Sequence, residues 1–130
     1  MYKIERKSYG YKLTFADYIK GDEMKKWVEE SRKALLTAPS EFGVFVDMRT
    51  LKTLPADAQA FMQEGQAHYK QKGMSRSVVI LSNAMTKLQF TRIARETGIY
   101  QWERYIDASA VADWEKKGEA WVIYKIDPDK

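Results

Sequence analysis

The sequence predicts an α/β fold: a mixed β-sheet packed with about four α-helices and opened by a β-hairpin. Three observations predict it. Tyr11, Leu13 and Phe15 alternate with Lys12 and Thr14, the period-two pattern of a strand with one buried face. Gly43-Val44-Phe45-Val46, flanked by Phe42 and Met48, and Val78-Val79-Ile80-Leu81 are continuous apolar runs, as expected of central strands covered on both faces. Between these runs lies a helical pattern opened by Pro55 and closed by Gly73, so strand, helix and strand follow one another and imply a parallel crossover.

Taken in order, Tyr2, Ile4 and Arg6 alternate weakly with Lys3, Glu5 and Lys7, and Ser8-Tyr9-Gly10 joins this stretch to Tyr11–Phe15 as a hairpin turn. Gly21-Asp22-Glu23 opens a helix with acid in its first turn, and Met24, Trp27, Val28, Ser31 and Leu35 form its buried stripe up to Pro39. The Pro55 helix places Ala58, Phe61, Met62, Gly65 and Tyr69 on one stripe, where Gly65 predicts a close approach to the sheet. Ser82 or Asn83 caps a third helix that runs to Gly98, with Phe90, Ile93, Ala94 and Thr97 toward the sheet. Arg104-Tyr105-Ile106 reads as a short strand, and Ala110–Lys117 as a short helix that turns Val111 and Trp114 inward and stops at Gly118. The apolar, β-branched tail Ala120–Ile126 reads as a further strand or a strap.

A chain of 130 residues with 45% hydrophobic content suits a single domain, residues 1–130, with its own core. It has no cysteine, which excludes disulfides, thiol nucleophiles and thiolate metal sites. No stretch approaches the roughly 20 apolar residues of a membrane span and the N-terminus has no signal-peptide core, so a cytoplasmic protein is expected. The net charge of +4 is unevenly spread. Gly65–Arg95 holds no acid and six bases (Lys70, Lys72, Arg76, Lys87, Arg92 and Arg95), leaving 16 basic against 18 acidic residues elsewhere. An anionic partner would meet its potential there, although a solvated helix face explains the same run. No helix-turn-helix or RNA-binding pattern accompanies it, so nucleic acid is not expected.

The segments LTFADYIKGDEM, FGVFVDMRTLKTLPADA, SRSVVILSN, LQFTRIARETG and ERYIDASAVADW, from about Leu13 to Trp114, resemble the SpoIIAA-like family of the STAS superfamily, a fold related to that of the CRAL-TRIO lipid carriers. In phosphorylatable members of that superfamily, a strand-end Asp is followed by a loop and a serine at the next helix start. Asp47 matches the strand-end acid, and the serine position falls at about Ala56 or Asp57, neither of which accepts phosphate as serine does. Asp57 would supply a phosphoserine-like charge or simply complement the helix dipole, and Thr50 and Thr53 are substitute acceptors nearby. The resemblance thus implies the fold without the partner switch.

A non-catalytic binding or regulatory role is expected, with no cofactor or metal. Its candidate surface is Met85, Leu88, Arg92 and Arg95 on the third helix, facing a protein partner or a second copy in a homodimer. The alternative is a carrier of a lipid or small apolar ligand, with Phe61, Met62, Tyr100 and Trp102 bordering a cavity. A cavity unfilled by side chains favours the carrier, and a dense core favours docking. An enzyme is the third choice. It requires Asp17, Asp47 and His68 to converge in a cleft, since no nucleophile elbow, phosphate loop or metal-binding pair is present.

Overall fold

A computed structural model describes residues 1–130. Its five strands, β1 (Tyr2–Lys7), β2 (Gly10–Phe15), β3 (Phe42–Asp47), β4 (Met74–Leu81) and β5 (Glu103–Asp107), lie in one sheet in the order of the sequence. β1 runs antiparallel to β2, from Tyr2 opposite Phe15 to Lys7 opposite Gly10, and every later neighbour is parallel. The hairpin closes on Gly10, which has φ 144° and lies so near β3 that a Cβ would stand 2.1 Å from the Gly43 carbonyl oxygen.

Helices α1 (Gly21–Ala34), α2 (Ala56–Lys72) and α3 (Ala84–Thr97) are the three crossovers, and α4 (Trp114–Tyr124) follows β5. Since each parallel strand is added on the same side of its predecessor, right-handed crossovers place α1, α2 and α3 on one face of the sheet. The strands divide accordingly. Val44 and Val46 join Trp27, Met24 and Tyr69 in the larger core, while the intervening Phe45 joins Val78, Ile80 and Ile106 in a smaller one. No crossover is left to cover that second face. It is covered by α4, which lays Trp121 and Val122 on it.

This overturns the strand or strap expected at Ala120–Ile126, and the helix expected at Ala110–Lys117 begins only at Trp114. Gly118 is not a stop: it sits inside α4 against Phe45, whose Cε2 would lie 2.5 Å from an added Cβ. The Trp121 indole N–H donates to the Ser77 carbonyl at 2.9 Å, and Arg76 donates to the Trp121 and Val122 carbonyls near the helix end. Gly65 also makes its close approach elsewhere than expected, to Trp27 of α1 rather than to the sheet. The third helix lies over the sheet's β5 edge, burying Ala94 and setting Phe90 edge-on to Tyr105. Ile93, expected to face inward, is 48% exposed.

Asn83 caps α3 by accepting from the Thr86 amide, and Gly73 and Gly98 end α2 and α3 at positive φ. No helix is long and apolar enough to cross a membrane.

Candidate functional site

On the three-helix face, α2 leans toward α1 and α3 lies out over β5, so the sheet between them is only partly covered. A cavity of about 300 Å³ results. Its floor is Leu13 and Phe15 of β2, Val44 and Val46 of β3, Ser77 of β4 and Glu103 of β5. Trp27 of α1 and Tyr69 of α2 contribute aromatic surface; Gln63, Gln66, Ala67 and Lys70 line the α2 side, and Ile99 and Trp102 the side before β5. Because Gln63, Gln66, Ala67 and Lys70 are exposed, the cavity opens along that flank of α2.

One polar cluster stands in this apolar floor. Ser77 and Glu103 are register partners on β4 and β5, and Tyr105 shares their face two residues further on. The Ser77 hydroxyl donates to Glu103 Oε1 at 2.9 Å and the Tyr105 hydroxyl to Oε2 at 3.0 Å. Burial pushes the Glu103 carboxyl above its ordinary range, and the two hydroxyl donors offset only part of that rise. Burial and the neighbouring Glu103 also push the Tyr105 phenol up.

Phe15 meets Trp27 edge-on at 5.0 Å, and Trp27 stacks on Tyr69 at 6.0 Å. The Tyr69 hydroxyl donates to Ser31 at 3.0 Å, whereas the buried Trp27 indole N–H has no protein partner. Opposite, Trp102 carries the Lys70 ammonium over its ring at 4.6 Å, and Lys70 also donates to the Met74 carbonyl at 3.2 Å.

Of the apolar residues expected at a pocket, Trp102 lines this cavity. Phe61 and Met62 instead pack into the larger core, immediately before Gln63, the first lining residue of α2. Tyr100 turns away. Its ring lies 3.7 Å from the Arg104 guanidinium and its hydroxyl donates to Asp129. On α3, Met85 and Leu88 are 64% and 65% exposed, and Arg92 is exposed beside them. Arg95 diverges from this group to stack on Tyr100 at 4.6 Å.

The acids at the strand ends have local duties. Asp47 is buried and accepts from the Arg49 amide and guanidinium, and that guanidinium stacks 4.1 Å from the Trp114 ring. Ala56 is the first residue of α2, and the exposed Asp57 accepts from the Ala58 amide at 2.8 Å. Thr50 and Thr53 are exposed in the loop before them. Asp17, at φ 60°, bridges to Leu51 near the same edge of the sheet.

His68 lies twelve residues into α2, about 18 Å along the helix from its start above β3. Asp17, Asp47 and His68 therefore form no common cleft. Burial and the nearby Arg32 and Lys72 charges push the His68 imidazole down. The basic third of the chain is likewise dispersed, with Lys70 at the cavity rim, Arg76 on the α4 side and Lys87 paired with Asp129.

The cavity and its carboxyl escaped sequence reasoning because the cluster is assembled from two strands far apart in the chain. The signal available was positional. Ser77 shares a face with Val79 and Leu81, so a polar residue there interrupts an otherwise apolar surface.

Neither a protein-family model nor a curated protein sequence matches the chain. Among solved structures it is similar to an uncharacterized protein from the DUF3478 family with a SpoIIAA-like fold, from Shewanella loihica PV-4. The TM-score is 0.62 at 15% identity, covering 88% of this chain and 91% of that one. The chain has the SpoIIAA-like fold that its element order predicts.

Proposed function

We propose that this SpoIIAA-like fold serves as a non-catalytic binding domain in the cytoplasm, taking a small, largely apolar molecule between α2 and Trp102. The observation that carries this reading is the cavity of about 300 Å³, with ten of its fifteen lining residues hydrophobic. Its volume lies at the lower end of small-molecule sites, which suits a compact ligand better than a long lipid chain. The few polar groups on its floor would orient that ligand while the aromatic walls supply contact area. Calorimetric titration of the chain with one-ring aromatic compounds tests the reading. Ala67→Phe, which fills the cavity from the exposed flank of α2, is expected to abolish binding while leaving the thermal midpoint near that of wild type. Binding unaffected by Ala67→Phe would place the ligand elsewhere.

A second reading, docking of a protein or a second copy on α3, is supported by the exposure of Met85, Leu88 and Ile93. Sedimentation equilibrium of wild type and Leu88→Glu tests it, with concentration-dependent association lost in the variant.

A further inference from the structure

We propose that the ligand of this cavity is an organic cation with an aromatic or compact apolar body, held by the Glu103 carboxylate and the rings around it; this rests on the cavity being a binding site. Both Glu103 oxygens accept from hydroxyls, Oε1 from Ser77 and Oε2 from Tyr105. A carboxylate so held is fixed in place, yet two neutral donors leave its charge uncompensated. Glu103 makes no ion pair within the chain. A buried charge of that kind is costly until an opposite charge reaches it. The remaining walls are what a cation requires. Phe15, Trp27, Tyr69 and Trp102 all line the same cavity, and the face of an aromatic ring attracts positive charge.

Lys70 is the other charged side chain on the lining and the obvious objection. Its ammonium is exposed at the rim, engaged by the Met74 carbonyl and the Trp102 ring, and forms no ion pair with Glu103. It shows instead that the Trp102 ring holds a cation. A ligand ammonium would approach Glu103 from the cavity side, leaving Ser77 and Tyr105 in place.

Three probes with one body and different heads separate the possibilities: phenethylamine, 2-phenylethanol and phenylacetate, titrated calorimetrically into the intact chain at neutral pH. The amine is expected to bind at least about tenfold more tightly than the alcohol, the sum of a charge-assisted contact and a cation–π contact. Glu103→Gln, which keeps the size and hydrogen-bonding capacity of the side chain, is expected to erase that preference. Trp102→Leu, which removes one aromatic ring from the lining, is expected to reduce it, and a melting curve for each variant establishes that it folds.

Equal binding of amine and alcohol, or a preference unchanged in Glu103→Gln, would overturn the cation assignment and leave a cavity for neutral ligands. Tighter binding of phenylacetate would overturn it in favour of an anion site led by Lys70. Failure of all three to bind would overturn the cavity reading itself.

Discussion

Gly65 of α2 lies against the indole of Trp27 on α1, so closely that a Cβ added to the glycine would stand 2.1 Å from Trp27 Cζ3 and 2.5 Å from Cη2. The two helices approach each other through this contact. Trp27 has no room to retreat, because Phe15 meets it edge-on and Tyr69 stacks on it. Gly65→Ala is therefore expected to destabilise the fold by about 1–3 kcal/mol, although alanine is the better helix former. Urea denaturation checks this, and an unchanged midpoint would mean that the α1–α2 contact is loose. Since Trp27 also lines the cavity, the variant is expected to weaken ligand binding as well.

The C-terminal tail is anchored by an ion pair between the buried Arg104 and the half-buried Asp127. Arg104 donates from Nε and Nη2 to both carboxylate oxygens of Asp127, at 3.0 and 3.1 Å, with its guanidinium near the rings of Tyr100 and Trp121. Asp127→Asn removes the charge and leaves Arg104 buried without its counter-ion. A loss of about 2 kcal/mol is expected, toward the low side for a broken buried pair because Arg104 keeps its donations to the Tyr100 and Glu103 carbonyls.

The pH dependence of that pair has a definite sign. Hydrogen bonding to Arg104 holds the Asp127 carboxyl below its ordinary value of 3.8. Its contribution is then fully present above that value and lost as pH falls through the depressed folded one. Wild type is expected to lose its advantage over Asp127→Asn below about pH 4, measured as urea midpoints across the acid range. A gap that does not narrow as the pH falls below 3.8 would assign the loss to packing instead.

Much of the fold was legible because hydrophobic period and crossover geometry agree. The alternation around Leu13, the apolar run at Val44 and the helix between Pro55 and Gly73 each allow one reading. The C-terminal segment allows two. Trp121-Val122-Ile123-Tyr124 is β-prone as a string, yet Gly118, Trp121 and Val122 fall at helical spacing and all three are buried. What decides is the sheet: with α1, α2 and α3 on one face, Phe45, Val78 and Ile80 need a cover, and tertiary context overrides strand propensity. Gly118 misled for the same reason, since a glycine read as a helix end is the point where α4 meets Phe45. The cavity was less legible still. It arises from where α2 and α3 sit on the sheet, which no local pattern encodes.

The α4 contact gives a direct test of that assignment. Trp121 donates its indole N–H to the buried Ser77 carbonyl, in the strand segment whose side chain reaches the cavity from the opposite face. Trp121→Phe keeps most of the apolar area and removes the donor, so a loss of about 1–2 kcal/mol is expected. Hydrogen exchange locates the effect, with faster exchange expected along α4 and β4 and little change in α1. Uniform change across the chain would signal global unfolding, and none at all would remove α4 from the sheet.

Glu103 is expected to titrate stability in the direction opposite to Asp127. Burial raises its carboxyl above the ordinary value of 4.5, so the folded state holds that proton more tightly than the unfolded chain. The contribution is fully present below about pH 4.5 and is lost as pH rises through the folded value. Glu103→Gln is neutral at every pH, and both neighbouring hydroxyls can turn to serve its amide. At pH 4 the variant should match wild type or fall slightly below it. At pH 7 it should be the more stable by on the order of 1 kcal/mol, because the penalty for a buried unpaired carboxylate has been removed. Thermal melts at the two pH values decide the matter, and a variant equally destabilised at both would show that Glu103 acts through shape alone. A gain in stability at neutral pH combined with loss of amine binding would mark Glu103 as a residue kept for its ligand at some cost to the fold.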